Sequence, residues 1–118
     1  MLNLSIWLLA TAALGGLVLI GLAQWRPPRH LWLPALAHGG LGAAGFTALL
    51  LALGGPPRGA AMGAQNFGAI AAILVGSALA LGLLIFAIRR QPSPLLLGLH
   101  ATAAVAGVVM LAAYLSLG

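Results

Sequence analysis

Four apolar stretches, at about 3–24, 31–54, 65–88 and 94–117, take up almost the whole chain. Crossing the hydrocarbon core of a bilayer as a helix takes roughly 20 apolar residues. In lipid no water is at hand for a stray backbone N–H or C=O, so each stretch must satisfy its own backbone. The sequence therefore predicts an all-α fold, a transmembrane four-helix up-down bundle forming a single domain over residues 1–118. A transmembrane barrel would need strands of alternating polarity, and the stretches do not alternate.

Composition closes the other routes. The 118 residues include five arginines, no lysine and neither Asp nor Glu, so charged residues make up 4%. A soluble domain carries about 25% charged residues, and a chain this poor in them cannot clothe a water-facing surface. Without carboxylates there is no Asp or Glu to act as general base or nucleophile, and no hard-cation cage. Without cysteine there is no disulfide, no thiolate metal site and no covalent c-type haem link. The first stretch reads as a retained helix rather than a cleaved leader. Met1, Leu2 and Asn3 bring no positive side chain, and the apolar run continues past Ala12 to Ala23.

Prolines punctuate the stretches. Pro27 and Pro28 close the first, Pro56 and Pro57 follow the second, and Pro92 and Pro94 open the fourth. Pro34 falls in the first turn of the second helix, where a missing N–H costs little. Arg26, Arg29, Arg89 and Arg90 sit in the first and third turns, and Arg58 alone sits in the second. This asymmetry predicts both termini outside and the arginine-rich turns in the cytoplasm of a bacterial inner membrane. Trp25, Trp32 and Phe86 mark one expected boundary, and Trp7, Phe67 and Tyr114 the other.

The chain reads as a tandem duplication of a two-helix hairpin. His38 and Gly45 on the second helix correspond to His100 and Gly107 on the fourth, each pair 62 residues apart. On the first and third helices, Gly15 with Gly76 and Gly21 with Gly82 suggest an offset of 61. Two hairpins in the same orientation imply a pseudo-twofold axis along the membrane normal.

The histidines carry the chemistry. A polar residue inside a membrane helix is costly and faces protein. Both imidazoles fall roughly 10 Å inside the boundary at the arginine turns. The second and fourth helices should be diagonal, with axes about 14 Å apart, which is too wide for a direct bond between the rings but suits a flat ligand between them. Small residues fall at the same expected level: Gly15, Gly16 and Gly21 on the first helix, Gly76 and Gly82 on the third. Gly42 and Gly45 share the face of His38, and Gly107 shares that of His100.

Paired histidines on alternate helices, with small residues on the helices between, resemble the haem-binding core of membrane b-type cytochromes. The resemblance covers the layout of all four helices and two residues of chemistry. It implies that His38 and His100 are axial ligands of a haem b, with Gly15, Gly16, Gly76 and Gly82 giving clearance. It also implies that Arg26, Arg29, Arg89 and Arg90 are candidates to pair with the propionates. One intramembrane pair is present, where respiratory cytochrome b has two. Bis-histidine ligation leaves no open iron position, so electron transfer is the expected role and no catalytic residue is assigned. The partners expected are the lipid bilayer, a quinone or a larger redox membrane complex, and further copies in an oligomer, with no nucleic acid.

The alternative is a cofactor-free accessory subunit that packs through its Gly- and Ala-rich faces. In it, His38 and His100 bond a carbonyl or hydroxyl on another helix, with Thr47, Thr102 and Ser77 as candidate partners. The arginines then set topology and bind lipid phosphates, and His30 beside Arg29 is an interfacial residue in either reading.

Overall fold

The computed structural model describes residues 1–88 and 91–117. Four helices make up the bundle: α1 (Leu2–Ala23), α2 (Trp32–Leu53), α3 (Phe67–Ile88) and α4 (Pro94–Ser116). At 1.5 Å per residue each is about 33 Å long, enough to cross the hydrocarbon layer. All four are long and apolar enough to do so, and the chain is an integral membrane protein.

Local chemistry sets the ends. α1 stops at Ala23, ahead of Pro27, and Pro28–His30 form a short 3-10 turn before α2. Pro94 takes the first position of α4, where Ser93 caps the helix by accepting the Leu96 N–H at 3.1 Å. In the long connection between α2 and α3, Gly59 (φ 71°) and Gly63 (φ 67°) are left-handed, a conformation that costs glycine little. They bracket the 3-10 turn Ala60–Met62.

Sequence neighbours pair first, α1 with α2 and α3 with α4, and the hairpins join through α2 on α3 and α1 on α4. That leaves α2 and α4 diagonal. Since lipid tails are as apolar as leucine, helix association here rests on close van der Waals fit at small residues. A Cβ on Gly45 would stand 2.7 Å from Leu9, and one on Gly107 2.7 Å from Val75. Leu9, Leu49, Ala71, Val75 and Leu111 form the core, flanked by Phe46 and Leu53. Ser5 is fully buried and donates its hydroxyl to the Gly45 carbonyl at 2.8 Å.

The core contacts repeat. Leu9 on Gly45 is matched by Val75 on Gly107, and Leu49 by Leu111. Leu9 and Val75 are 66 residues apart, whereas Gly45 and Gly107 are 62 apart. The structural register of α1 against α3 is therefore 66, and the glycine-based offset of 61 is corrected. The two offsets differ because the connection from α3 to α4 is shorter than that from α1 to α2. Tyr114 is corrected as well. It is buried, and its hydroxyl accepts the Arg58 N–H at 3.1 Å, so it belongs to the core and not to a boundary belt.

Burial is confined to one half. All buried helical residues lie toward the end that carries the termini and the long connection. Among the described residues of 13–44 and 79–106, none is buried.

Candidate functional site

His38 and His100 sit where the packed half ends. Each lies six residues into its helix, so the two share one depth. Each is partly buried and crosses to the other helix of its own hairpin. His38 Nδ1 lies 2.8 Å from the Ala12 carbonyl on α1, and His100 Nδ1 lies 2.8 Å from the Ala78 carbonyl on α3. A helix carbonyl points toward the next turn, so the residue four places on decides whether a ring can reach it. That residue is Gly16 in one hairpin and Gly82 in the other. A Cβ would lie 3.2 Å from His38 Cε1 at Gly16 and 3.0 Å from His100 Cε1 at Gly82. Ala12 with Ala78 and Gly16 with Gly82 obey the same offset of 66 as the core.

This arrangement fixes the tautomer. A carbonyl oxygen can only accept, so Nδ1–H donates, and the neutral ring keeps its lone pair on Nε2. Among the described residues no hydrogen bond engages either Nε2, and neither atom is sealed off. An imidazole held through Nδ1–H on a backbone carbonyl is the usual second-shell support of a metal-binding histidine.

The two rings meet edge-on across the bundle, with centroids 6.0 Å apart and planes at 77°. Two imidazoles bound on opposite sides of one metal ion, with metal–nitrogen bonds of about 2 Å, have centroids roughly 6 Å apart. No group of three or more His, Cys, Asp or Glu comes together among the described residues.

The remaining sequence candidates fall into separate groups. A Cβ on Gly15 would lie 3.8 Å from His38 Nδ1, so Gly15, Gly16 and Gly82 line the histidines. Gly76 lies instead under the Phe46 ring, and Gly42 under Leu79 at the α2–α3 contact. Gly45 and Gly107 belong to the core, as described above. Gly21 has nothing within 4 Å of its Cβ position. Arg26 and Arg29 are exposed on the first turn, where Arg29 Nε donates to His30 Nε2 at 3.2 Å. Arg89 and Arg90 lie outside the described residues. Thr47 and Ser77 bond carbonyls of their own helices, at Ala43 and Ile73.

The sequence reading missed the carbonyls of Ala12 and Ala78, which orient the rings. Their one available signal was the pair of small-xxx-small steps, Ala12 to Gly16 and Ala78 to Gly82. Against protein-family models, curated proteins and solved structures, the chain has no match.

Proposed function

We propose that the chain is an integral membrane b-type haem protein acting in electron transfer, with His38 and His100 as axial ligands of one haem b. One observation carries this reading. The two imidazoles lie with their centroids 6.0 Å apart, each anchored through Nδ1 and each with Nε2 available. Bound between them, the cofactor supplies a reversible one-electron couple. The chain's own residues hold and orient it. The Ala12 and Ala78 carbonyls fix the ring planes, while Gly16 and Gly82 let the rings approach the helices. The arginine turns lie beyond the histidines, where Arg26 and Arg29, and by sequence Arg89 and Arg90, are candidates for the propionates.

The arginine asymmetry supports termini outside and those turns in the cytoplasm, as in a bacterial inner membrane. The electron partner is then a quinone or a redox subunit of a larger membrane complex reached from that side. No open iron position is left, so this is a carrier or accessory subunit and not an independent enzyme.

The test is a reduced-minus-oxidised spectrum of protein purified in mild detergent from haem-replete cells. A low-spin α band is expected, and His38→Ala and His100→Ala should each abolish it. A colourless wild-type preparation overturns the reading, as does a band that survives both substitutions.

A second reading draws on the same bonds. Each histidine already ties the two helices of its hairpin together, a link worth about 0.6 kcal/mol in a membrane. A cofactor-free accessory subunit held by such links would be colourless and would co-purify with a larger assembly.

A further inference from the structure

Arg58 is built differently from Arg26 and Arg29. It is partly buried, whereas they are exposed. Its backbone N–H is held by the Tyr114 hydroxyl at 3.1 Å, and its Nη1 donates to the Leu115 carbonyl at 3.1 Å. The first contact holds the Arg58 backbone against the end of α4, and the second holds its guanidinium there. Beside it opens a pocket of about 320 Å³, lined by Met1, Leu2, Asn3, Ala52 and Arg58. The pocket lies where α1 begins and α2 ends, at the water-facing margin of the packed half.

The sequence holds no Asp or Glu, so no side-chain carboxylate of this chain can neutralise that guanidinium. One N–H is already spent on Leu115, and the remaining N–H groups keep the fork geometry that grips two oxygens of a phosphate at once. Leu2, Asn3 and Ala52 line the pocket beside Arg58.

We propose that this pocket is a phosphate site, and that Arg58 grips the phosphate of a phospholipid headgroup or of free inorganic phosphate. Its position at the water-facing ends of α1 and α2 matches that of a lipid headgroup. The site is separate from the histidine pair and does not depend on it.

Full-length protein carrying Arg26→Gln and Arg29→Gln, so that the first turn cannot contribute, is delipidated in detergent. It is then titrated with short-chain phosphatidylglycerol, a neutral short-chain glycolipid and inorganic phosphate. Bound lipid is counted by native mass spectrometry, and bound phosphate is followed by phosphorus NMR. Phosphatidylglycerol should bind at one molecule per chain. Arg58→Gln should weaken it at least about tenfold, in keeping with loss of a charge-assisted pair, and Arg58→Lys should weaken it less. Ala52→Phe fills the pocket yet leaves Arg58 in place, so it should weaken binding comparably even if Arg58→Gln fails to fold. Competition by inorganic phosphate at similar concentration identifies free phosphate as the source, and its failure to compete identifies the headgroup. Unchanged binding in Ala52→Phe overturns the proposal. So does displacement of phosphatidylglycerol by the neutral glycolipid, or lipid binding without fixed stoichiometry.

Discussion

The two halves of the bundle differ in how closely their helices pack. Toward the termini, Gly45, Gly68 and Gly107 receive Leu9, Tyr114 and Val75 so closely that a Cβ would meet them at 3.0 Å or less. Toward the arginine turns, Gly21, Gly39, Gly40 and Gly98 have nothing within 4 Å. Glycine thus does two jobs in one chain, as a seat for a neighbour in one half and as open space in the other. The histidines stand at the division. A bundle that only needed to hold itself together would gain from continuing its close fit past them, because van der Waals contact is what joins helices in lipid. Full burial ends near this level, and toward the arginine turns the inward-facing residues are only partly buried.

The largest effect expected from breaking this contrast comes from adding one methyl to each half. Gly107→Ala places its Cβ 2.7 Å from Val75 Cγ2 and 3.1 Å from the Val75 backbone nitrogen. A backbone atom cannot step aside, so overpacking should cost about 2 kcal/mol. Gly98→Ala, on the same helix in the open half, should leave stability unchanged or slightly raised through helix propensity. Reversible unfolding in mixed micelles measures both. Equal losses would mean that the open half is packed in the membrane.

Removing bulk gives the reverse comparison. Leu111 is fully buried and Leu99 is 51% exposed. In lipid the transfer part of a Leu→Ala loss largely falls away, and the cavity part remains, at about 24 cal/mol per Å³. Leu111→Ala should therefore cost about 1–2 kcal/mol in the same unfolding assay, and Leu99→Ala close to nothing.

Much of this was legible in the sequence, and what was not has physical causes. Helix length and proline placement mark the four spans, because a bilayer imposes a thickness and proline removes a donor. The depth and pairing of His38 and His100 could be read because a polar ring among apolar residues stands out. The register of α1 against α3 could not. With 17 glycines in the chain, chance coincidences at 61 compete with the true offset of 66, and only the contacts decide between them. The ring-orienting groups were hidden for another reason. They are backbone carbonyls, and every residue has one. Nor could the division into packed and open halves be read, since helices apolar on every side look the same whether they face lipid or each other.

The smallest expected effect falls on the boundary and tests whether the two halves communicate. A Cβ at Gly82 would stand 3.0 Å from His100 Cε1, and one at Gly16 3.2 Å from His38 Cε1. In each case the neighbour is a side-chain ring that can shift by a few tenths of an ångström, unlike the Val75 backbone behind Gly107. Stability should fall by no more than about 0.6 kcal/mol, the average strength of the hydrogen bond put at risk. The shift strains the bond of the ring to its carbonyl, and Nε2 moves with the ring. Under the proposed haem ligation, the two single substitutions should therefore lower the fraction of protein with a low-spin band, Gly82→Ala more than Gly16→Ala because its contact is tighter. Gly40→Ala, in the open half with nothing within 4 Å, should change neither stability nor spectrum. If Gly16→Ala and Gly82→Ala matched Gly40→Ala in both measurements, the carbonyl-anchored orientation of the rings would have no bearing on what the pair binds.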